Sequence, residues 1–354
     1  LSAGLMALAV LTRPDALIAA GLLFADMGLR PLLARDGALL GSRLRRLPWV
    51  EATIFGAMLA PWIIFATAYF GSPLPQSVQA KVQAYQLGQF DALIRLVQHL
   101  SVPFFEDKVF GRYWPAVGFL LYLILYLVGG LRQVRRLGRS LPHVLYPLVY
   151  VAVFSVANPL IFRWYMAPLL PFYFLGILVG LHGIVSDVAR KVDRERAGEW
   201  ATWLVIALML LSSLNAYTLA PDHGLGRPAP EMAWYKLELL YRQAAELVKP
   251  RLQPGDVVAA GDIGAVGWFT GAPILDTLGL ISPEAVPYYP LDPSLLVITY
   301  AISPDLIRDL QPAYIITLEV YVREGLVPAA WFPEQYRLLS KLDTDIYGSD
   351  DMLV

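Results

Sequence analysis

The residues Leu11-Thr12-Arg13-Pro14-Asp15 form a polar break between two apolar segments, 1–12 and 14–29. Three of them are typical of a helix start, because Thr12 can cap the helix, Pro14 suits the first turn and Asp15 completes a capping box near the positive end of the helix dipole. Arg13 has no role in such a start. The pattern predicts two apolar helices joined by a short turn that carries a cation.

Similar apolar segments follow along the first two thirds of the chain. A membrane-spanning helix needs about 20 mostly apolar residues, and the chain is 57% hydrophobic, with only 16% charged residues and a mean hydropathy of +0.53. The first segment is too short to cross alone, and we expect it to be the end of a span that begins upstream of Leu1. The sequence predicts about seven spans, over 1–12, 14–29, 50–70, 115–131, 143–160, 164–185 and 200–219.

Basic residues crowd three alternate loops between these segments. The loops hold 13 basic residues, at 30–46, 132–139 and 190–196, whereas the long loop 71–113 holds four. The positive-inside rule makes the three basic loops cytoplasmic. Arg13, the loop 71–113, Arg163 and everything after Ala220 are then predicted to face outward.

The C-terminal third differs in composition from the apolar part. From Ala220 onward there are 18 acidic and 9 basic residues, and the preceding residues carry 11 acidic and 19 basic ones. We expect 1–219 to be the membrane domain, 220–233 a Pro- and Gly-rich linker, and 234–354 a small extracytoplasmic α/β domain with a mostly parallel sheet. Its predicted elements are helices over 230–249 and 304–310 and strands over 257–260, 273–276, 313–317 and 336–340.

Several chemistries have no support in the composition. The chain has no cysteine, its four histidines are scattered, and no basic stripe interleaved with aromatic residues indicates nucleic-acid binding. The pair Glu106-Asp107 lies in a loop and is predicted to be solvated. After the strand at 257–260, the glycines around Asp262 have the wrong spacing for a dinucleotide loop, so a tight turn from strand to helix is favoured.

Four stretches of the predicted outer side combine charged, aromatic and proline residues. In this order and on one side of the membrane, they resemble the C-terminal half of a GT-C superfamily glycosyltransferase, in the bacterial branch related to protein O-mannosyltransferases and the lipid A aminoarabinose transferase. The stretches are Leu11-Thr12-Arg13-Pro14-Asp15; Tyr69-Phe70-Gly71-Ser72-Pro73-Leu74-Pro75-Gln76-Ser77 with Lys81; Phe162-Arg163-Trp164-Tyr165 with Pro168 and Pro171; and Gly261-Asp262-Ile263-Gly264-Ala265-Val266-Gly267-Trp268-Phe269 followed by Asp276-Thr277-Leu278-Gly279-Leu280.

The resemblance implies an integral enzyme of the bacterial plasma membrane. Such an enzyme takes a sugar from a polyprenyl-phosphate carrier in the outer leaflet and passes it to an extracytoplasmic acceptor, which is a glycan, a lipid or a protein of the cell envelope. The family pattern also implies a catalytic acidic residue in an outer loop that would lie upstream of Leu1. Metal dependence varies within the superfamily, so a divalent metal ion stays open as a cofactor.

The outward cations Arg13, Lys81 and Arg163 are the candidates for binding the lipid phosphate, because a leaving phosphate gains negative charge as the sugar bond breaks. Each also has a structural interpretation, as a side chain that reaches the membrane surface. The secondary candidates are Asp15, Gln76, Tyr165, Asp262 and Asp276, and for Asp276 we favour a cap on the end of a strand.

Two other functions stay open. The first is a non-catalytic membrane-anchored module that binds a glycan or a partner through its outer domain. The second is a transporter of lipid-linked sugars, which the sequence favours less, because the spans contain almost no ionisable residues and no inverted repeat is visible.

Overall fold

The structure is a computed structural model that describes residues 1–33, 39–137, 141–216 and 233–354. Contacts between Cα atoms divide the chain into two compact units. The first unit contains the described residues of Leu1–Pro73 and Phe90–Thr218, and the second contains those of Leu74–Gln89 and Leu219–Val354. The predicted loop 71–113 is therefore shared between the units, and most of the predicted linker 220–233 lies outside the described residues.

The chain up to residue 216 is helical. Its helices are α1 (Ser2–Thr12), α2 (Ala16–Leu33), α3 (Leu40–Arg45), α4 (Trp49–Phe70), α5 (Gln76–Ala84), α6 (Asp91–Ser101), α7 (Asp107–Phe110), α8 (Trp114–Leu137), α9 (Leu141–Ala157), α10 (Leu170–Lys191) and α11 (Glu195–Ala216). All except α5 belong to the first unit.

Five segments among the described residues are long and apolar enough to cross a membrane: Ala16–Leu33, Leu40–Phe70, Trp114–Arg136, Leu170–Lys191 and Glu195–Leu214. α1 and α9 are shorter apolar helices. The predicted helical architecture is confirmed, and these helices have the length and composition of membrane spans. The number of crossings and their direction stay predictions.

Two predicted segments differ most from the observed helices at their starts. The segment predicted over 164–185 begins as a 3₁₀ turn, Arg163–Met166, and α10 starts only at Leu170, with Pro171 in its first turn. Its last turn contains Arg190 and Lys191, and basic side chains stabilise the negative end of a helix dipole. The segment predicted over 200–219 begins earlier, at Glu195, and an acidic residue stabilises the positive end.

Glycines allow the backbones of α8 and α10 to come into direct contact. A Cβ atom at Gly129 would overlap the carbonyl oxygen of Gly176, and one at Gly180 would overlap the carbonyl oxygen of Leu125. Gly176 and Gly180 are four residues apart, which is the small-residue spacing common where membrane helices meet closely. The core of the first unit lies around this contact and includes the buried rings of Tyr122, Tyr126 and Tyr173.

The second unit is built on a five-stranded sheet. Its strands are β1 (Val258–Ala260), β2 (Ile274–Asp276), β3 (Tyr314–Leu318), β4 (Lys341–Asp343) and β5 (Asp351–Leu353), in the order β2-β1-β3-β5-β4. Its helices are α12 (Ala233–Val248), α13 (Ile263–Thr270), α14 (Pro304–Leu310) and α15 (Phe332–Gln335).

The predicted mostly parallel sheet is in fact mixed. β1 pairs in parallel with β2 and β3, whereas β5 runs antiparallel between β3 and β4. The strand predicted over 336–340 is wrong, because this segment is irregular and Leu338 is 56% exposed. The chain reverses after Asp343, where Thr344 donates its N–H to the carbonyl oxygen of Asp350, and this hairpin places β5 against β3.

Helices and loops cover both faces of this sheet. Leu237 and Tyr241 of α12 and Val266 of α13 pack on one face, against alternate residues such as Ile316. Leu306 and Ile307 of α14 pack on the other face, and Ala84 of α5 belongs to the same buried cluster. A segment from the predicted outer loop 71–113 is therefore part of the core of the second unit.

Candidate functional site

Arg13 lies in the turn between α1 and α2 and forms a bidentate ion pair with Asp15. Its Nη2 is 2.9 Å from Asp15 Oδ2 and its Nε is 3.1 Å from Asp15 Oδ1. The Arg13 side chain is 42% exposed, against 12% for Asp15. Hydrogen bonding to Asp15 raises the pKa of Arg13, so the guanidinium keeps its charge. Because a guanidinium has five N–H donors and Asp15 accepts two, the cation retains capacity for an exposed anion.

Tyr150 links this turn to a second predicted site segment. The Tyr150 side chain is fully buried on α9, and its hydroxyl lies 3.1 Å from Asp15 Oδ2 and 2.7 Å from the carbonyl oxygen of Tyr165. Tyr165 belongs to the 3₁₀ turn Arg163–Met166. Three predicted site residues, Arg13, Asp15 and Tyr165, therefore lie together. We call Arg13, Asp15, Tyr150 and Tyr165 the Arg13 cluster.

Two details at this site differ from the prediction. Thr12 does not cap α2, because its hydroxyl donates back to the carbonyl oxygen of Leu8 at 2.8 Å. Arg163 has its backbone in the 3₁₀ turn, but its side chain lies outside the described part of the structure. The third predicted cation, Lys81, belongs to the second unit.

Three other predicted residues, Asp262, Asp276 and Gln76, lie at one edge of the sheet in the second unit. Asp262 follows β1 and Asp276 ends β2, so both stand at the carboxyl ends of parallel strands. α5 contacts the same edge, because Gln76 Nε2 is 3.4 Å from the carbonyl oxygen of Gly279. Lys81 lies on α5, is half-buried, and has its pKa lowered by burial.

Asp262 stands where the strand order reverses. The connection from β1 to β2 runs through α13 on one face, and the connection from β2 to β3 runs through α14 on the other. In open α/β sheets, ligands bind in the crevice outside the carboxyl ends of the strands at such a switch point. Asp262 accepts a hydrogen bond from the Tyr241 hydroxyl at 2.9 Å, and burial raises the pKa of Asp262.

The Asp276 carboxylate binds backbone N–H groups of the turn that follows β2. It is fully buried and accepts hydrogen bonds from the N–H groups of Leu278, at 2.9 Å, and Ile281, at 3.0 Å. These bonds shape the turn after β2 and favour the structural interpretation of this residue. Asp262 is therefore the more accessible carboxylate of the two.

Sequence reasoning missed the structural state of Glu106. The predicted solvated pair is wrong, because Glu106 is only 3% exposed and accepts hydrogen bonds from the Tyr122 hydroxyl and the N–H of Phe104. Burial raises the pKa of Glu106. The apolar residues just before it, Val102 to Phe105, are the signal that this segment folds inward.

Tyr150 was also missed as a member of the Arg13 cluster, and its neighbour Tyr146 was missed with it. Their four-residue spacing places both rings on one face of α9, and two tyrosines at that spacing in an otherwise apolar helix are the sequence signal. Among residues 1–33, 39–137, 141–216 and 233–354, no three His, Cys, Asp or Glu side chains form a group that could hold a metal ion.

Comparison with known proteins identifies a recurring C-terminal domain. A family model described as a domain of unknown function, DUF8728, matches residues 231–354. No curated protein and no solved structure matches the chain significantly. The matched residues carry the sheet, Asp262 and Asp276, whereas the Arg13 cluster lies outside the match. The apolar helices indicate a membrane protein.

Proposed function

We propose that the chain is a membrane glycosyltransferase that moves a sugar from a polyprenyl-phosphate carrier to an extracytoplasmic acceptor, with Arg13 as the phosphate ligand. One observation carries this proposal. Arg13 is a partly exposed cation between two apolar helices, and Asp15 and the buried Tyr150 hold it in place. A cation that is fixed before the substrate arrives stabilises developing charge without reorganising during the reaction.

The bonds that form and break give Arg13 a defined role. The acceptor oxygen attacks the anomeric carbon of the sugar, and the bond from that carbon to the phosphate oxygen breaks. The electron pair stays on the phosphate, which leaves as the polyprenyl phosphate. Guanidinium N–H groups donate in parallel to phosphate oxygens, so Arg13 binds the leaving group more strongly as its charge grows. The acceptor proton passes to a carboxylate that acts as the general base, as the family resemblance implies.

Asp15 has a positioning role in this proposal. Its two oxygens bind the Nε and Nη2 of Arg13. It therefore orients the guanidinium and does not act as the base. In the second unit, Asp262 is the candidate for binding hydroxyl groups of the acceptor, because it is a carboxylate at the switch point of the sheet.

Binding of undecaprenyl phosphate to the full chain in lipid nanodiscs tests the role of Arg13. The variant Arg13→Ala should bind this probe at least about tenfold more weakly, since it loses a charge-assisted pair of hydrogen bonds. Arg30→Ala is the matched control, because Arg30 is 41% exposed, also sits at the end of an apolar helix, and pairs with Asp26 at 2.7 Å. Equal affinity in wild type and Arg13→Ala, or equal loss in both variants, would refute the phosphate site.

A transfer assay separates the enzyme from a binding module. Full-length protein receives undecaprenyl phosphate carrying a radiolabelled sugar, together with cell-envelope acceptors from the source cells. The proposal predicts label in an acceptor and a rate at least about tenfold lower in Arg13→Ala. Normal phosphate binding without transfer would favour the non-catalytic module.

A further inference from the structure

A groove on the second unit concentrates positive charge within an acidic region. It has a volume of about 1170 Å³ and runs along β3 between the irregular segment 311–313 and the segment 332–339. We call it the β3 groove. Four of the nine basic residues from Ala220 onward line it, whereas only two of the 18 acidic residues do, Asp256 and Glu319. The four basic residues are Arg251, Arg323, Arg337 and Lys341.

Two of these cations are already neutralised by carboxylates. Arg323 binds Glu319 through two hydrogen bonds of 2.7 and 2.5 Å, and Lys341 lies 3.3 Å from Asp351. Arg251 and Arg337 are exposed, and neither forms an ion pair with a residue that the structure describes. Arg251 donates one N–H to the carbonyl oxygen of Leu247 and keeps its other donors. The groove therefore presents two guanidinium groups that no described carboxylate neutralises.

The rest of the groove suits a hydroxyl-rich ligand. Phe332 and Tyr336 are half-buried and stacked, with ring centroids 5.2 Å apart, and the Tyr336 hydroxyl is fixed by the carbonyl oxygen of Pro312 at 2.8 Å. Exposed glutamine amides line the groove at Gln253, Gln311 and Gln335. An amide both donates and accepts hydrogen bonds, as a sugar hydroxyl does, and the C–H face of a sugar ring packs on an aromatic ring.

The size of the groove indicates a ligand of several units. Pockets for small molecules usually measure roughly 300–1,000 Å³, and the β3 groove exceeds this range. Three paired residues of neighbouring strands form its floor. Thr317 of β3 is paired with Leu353 of β5, and Leu353 is paired with Lys341 of β4. A chain molecule that lies across this floor can reach both an aromatic face and a cation.

We propose that the β3 groove binds an anionic oligosaccharide, with Arg251 and Arg337 pairing with its acidic groups and the ring stack of Phe332 and Tyr336 supporting a sugar face. This inference is independent of the proposed transferase, because binding needs no donor and none of these residues belongs to the Arg13 cluster. Amide and aromatic groups beside the cations favour a glycan over an acidic peptide.

Affinity measurements on the full chain in nanodiscs of uncharged lipid test the proposal. The probes are hexagalacturonate, the neutral hexasaccharide maltohexaose and a hexaglutamate peptide, compared at low ionic strength because salt screens exposed charges. Hexagalacturonate should bind at least about tenfold more tightly than either other probe. Equal binding of maltohexaose would show that charge is not recognised, and equal binding of hexaglutamate would show that sugar is not recognised. Either result, or no binding of hexagalacturonate, would overturn the proposal.

Two matched variants locate the site. Arg337→Ala should weaken hexagalacturonate binding about tenfold, and because the exposed side chain makes no ion pair with a described residue, the fold should be unaffected. Arg308→Ala removes the same charge from α14 outside the groove, where Arg308 pairs with Asp305 and Asp309. It should change binding less than about twofold. Equal weakening by both variants would mean that only net charge matters and would reject the groove as the site.

Discussion

A single buried hydroxyl connects the two segments of the Arg13 cluster. Tyr150 has two acceptors within reach, Asp15 Oδ2 at 3.1 Å and the Tyr165 carbonyl oxygen at 2.7 Å. One hydroxyl has one hydrogen to donate, so the two acceptors share it. The position of Arg13 thus depends on a residue of another helix, which makes the cluster a tertiary feature of the fold.

The variant Tyr150→Phe tests this dependence. It should lower the free energy of unfolding in detergent by about 1 kcal/mol, because a buried hydrogen bond is lost while the ring is kept. It should also weaken undecaprenyl phosphate binding severalfold, since Asp15 and Arg13 lose their support. Tyr146→Phe is the control, because Tyr146 is buried on the same helix and its hydroxyl has no hydrogen bond to a described residue. Similar losses in both variants would contradict the prediction.

The stability of the protein depends on pH through the titration of Glu106. Burial raises its pKa above the ordinary value of 4.5. A carboxyl group whose pKa is raised by folding favours the folded state while it is protonated, and this contribution is lost as the pH rises through the folded pKa. In the variant Glu106→Gln, the amide oxygen can accept from the N–H of Phe104, and the amide NH₂ can donate to the Tyr122 hydroxyl oxygen.

The unfolding temperature should therefore depend on pH differently in wild type and in Glu106→Gln. As the pH rises above about 4.5, wild type should lose stability relative to the variant, because only wild type acquires a buried charge. Thermal unfolding in detergent between pH 4 and pH 8 measures this difference. Parallel pH profiles would show that Glu106 does not titrate with folding in this range.

At the scale of elements, the contact between α8 and α10 depends on positions where only hydrogen fits. Gly180→Ala places a Cβ against the carbonyl oxygen of Leu125, so the helices must separate. We expect the free energy of unfolding to fall by roughly 1–3 kcal/mol, the usual cost of overpacking a core. Gly56→Ala on α4 is the control, because a Cβ there meets no atom within 4 Å. It should be neutral or slightly stabilising, since Ala favours helix more than Gly does. A stable Gly180→Ala protein would contradict the close packing.

Local patterns were sufficient to predict many elements and insufficient for others. The helix Pro304–Leu310 was predicted at its observed bounds, and β1, β2 and β3 were predicted within one residue. β4 and β5 were missed because each begins with a charged residue and lacks the apolar run that marks β1, and because β5 is set by pairing with β3.

In the candidate site, too, local sequence predicts some features and not others. Arg13 and Asp15 are two residues apart, so their ion pair follows from local geometry. The roles of Tyr150 and Glu106 depend on partners 16 to 135 residues away, Asp15 in one case and Tyr122 in the other. No periodicity carries information about such pairs. The same applies to Lys81, because no local pattern indicates that its helix, α5, contributes to the core of the second unit.

At the scale of the whole molecule, the second unit is assembled from two separate pieces of chain. α5 enters it from between α4 and α6, while the sheet and its helices belong to the described residues 233–354. Ala84 of α5 is 2% exposed in the shared core, and Gln86 donates its N–H to the carbonyl oxygen of Thr299 at 2.9 Å. The side chain of Gln86 also donates to the carbonyl oxygen of Leu291.

This arrangement predicts that cutting the chain between the two pieces will not release the second unit. A specific protease site inserted between Asp222 and Arg227 allows cleavage in sealed spheroplasts with protease added outside. We expect a new C-terminal fragment on a denaturing gel, as the predicted outward orientation requires. We also expect the fragment to sediment with the membranes, because α5 still binds it.

Two variants of α5 test this binding. Ala84→Arg places a charge in the buried position of Ala84, which is strongly unfavourable, so most of the cut fragment should become soluble. Val82→Arg on the same helix, α5, where the side chain is exposed, is the control and should leave it bound. Fragment washed off in wild type would refute the role of α5, and no cleavage outside, with cleavage in opened vesicles, would reverse the predicted topology.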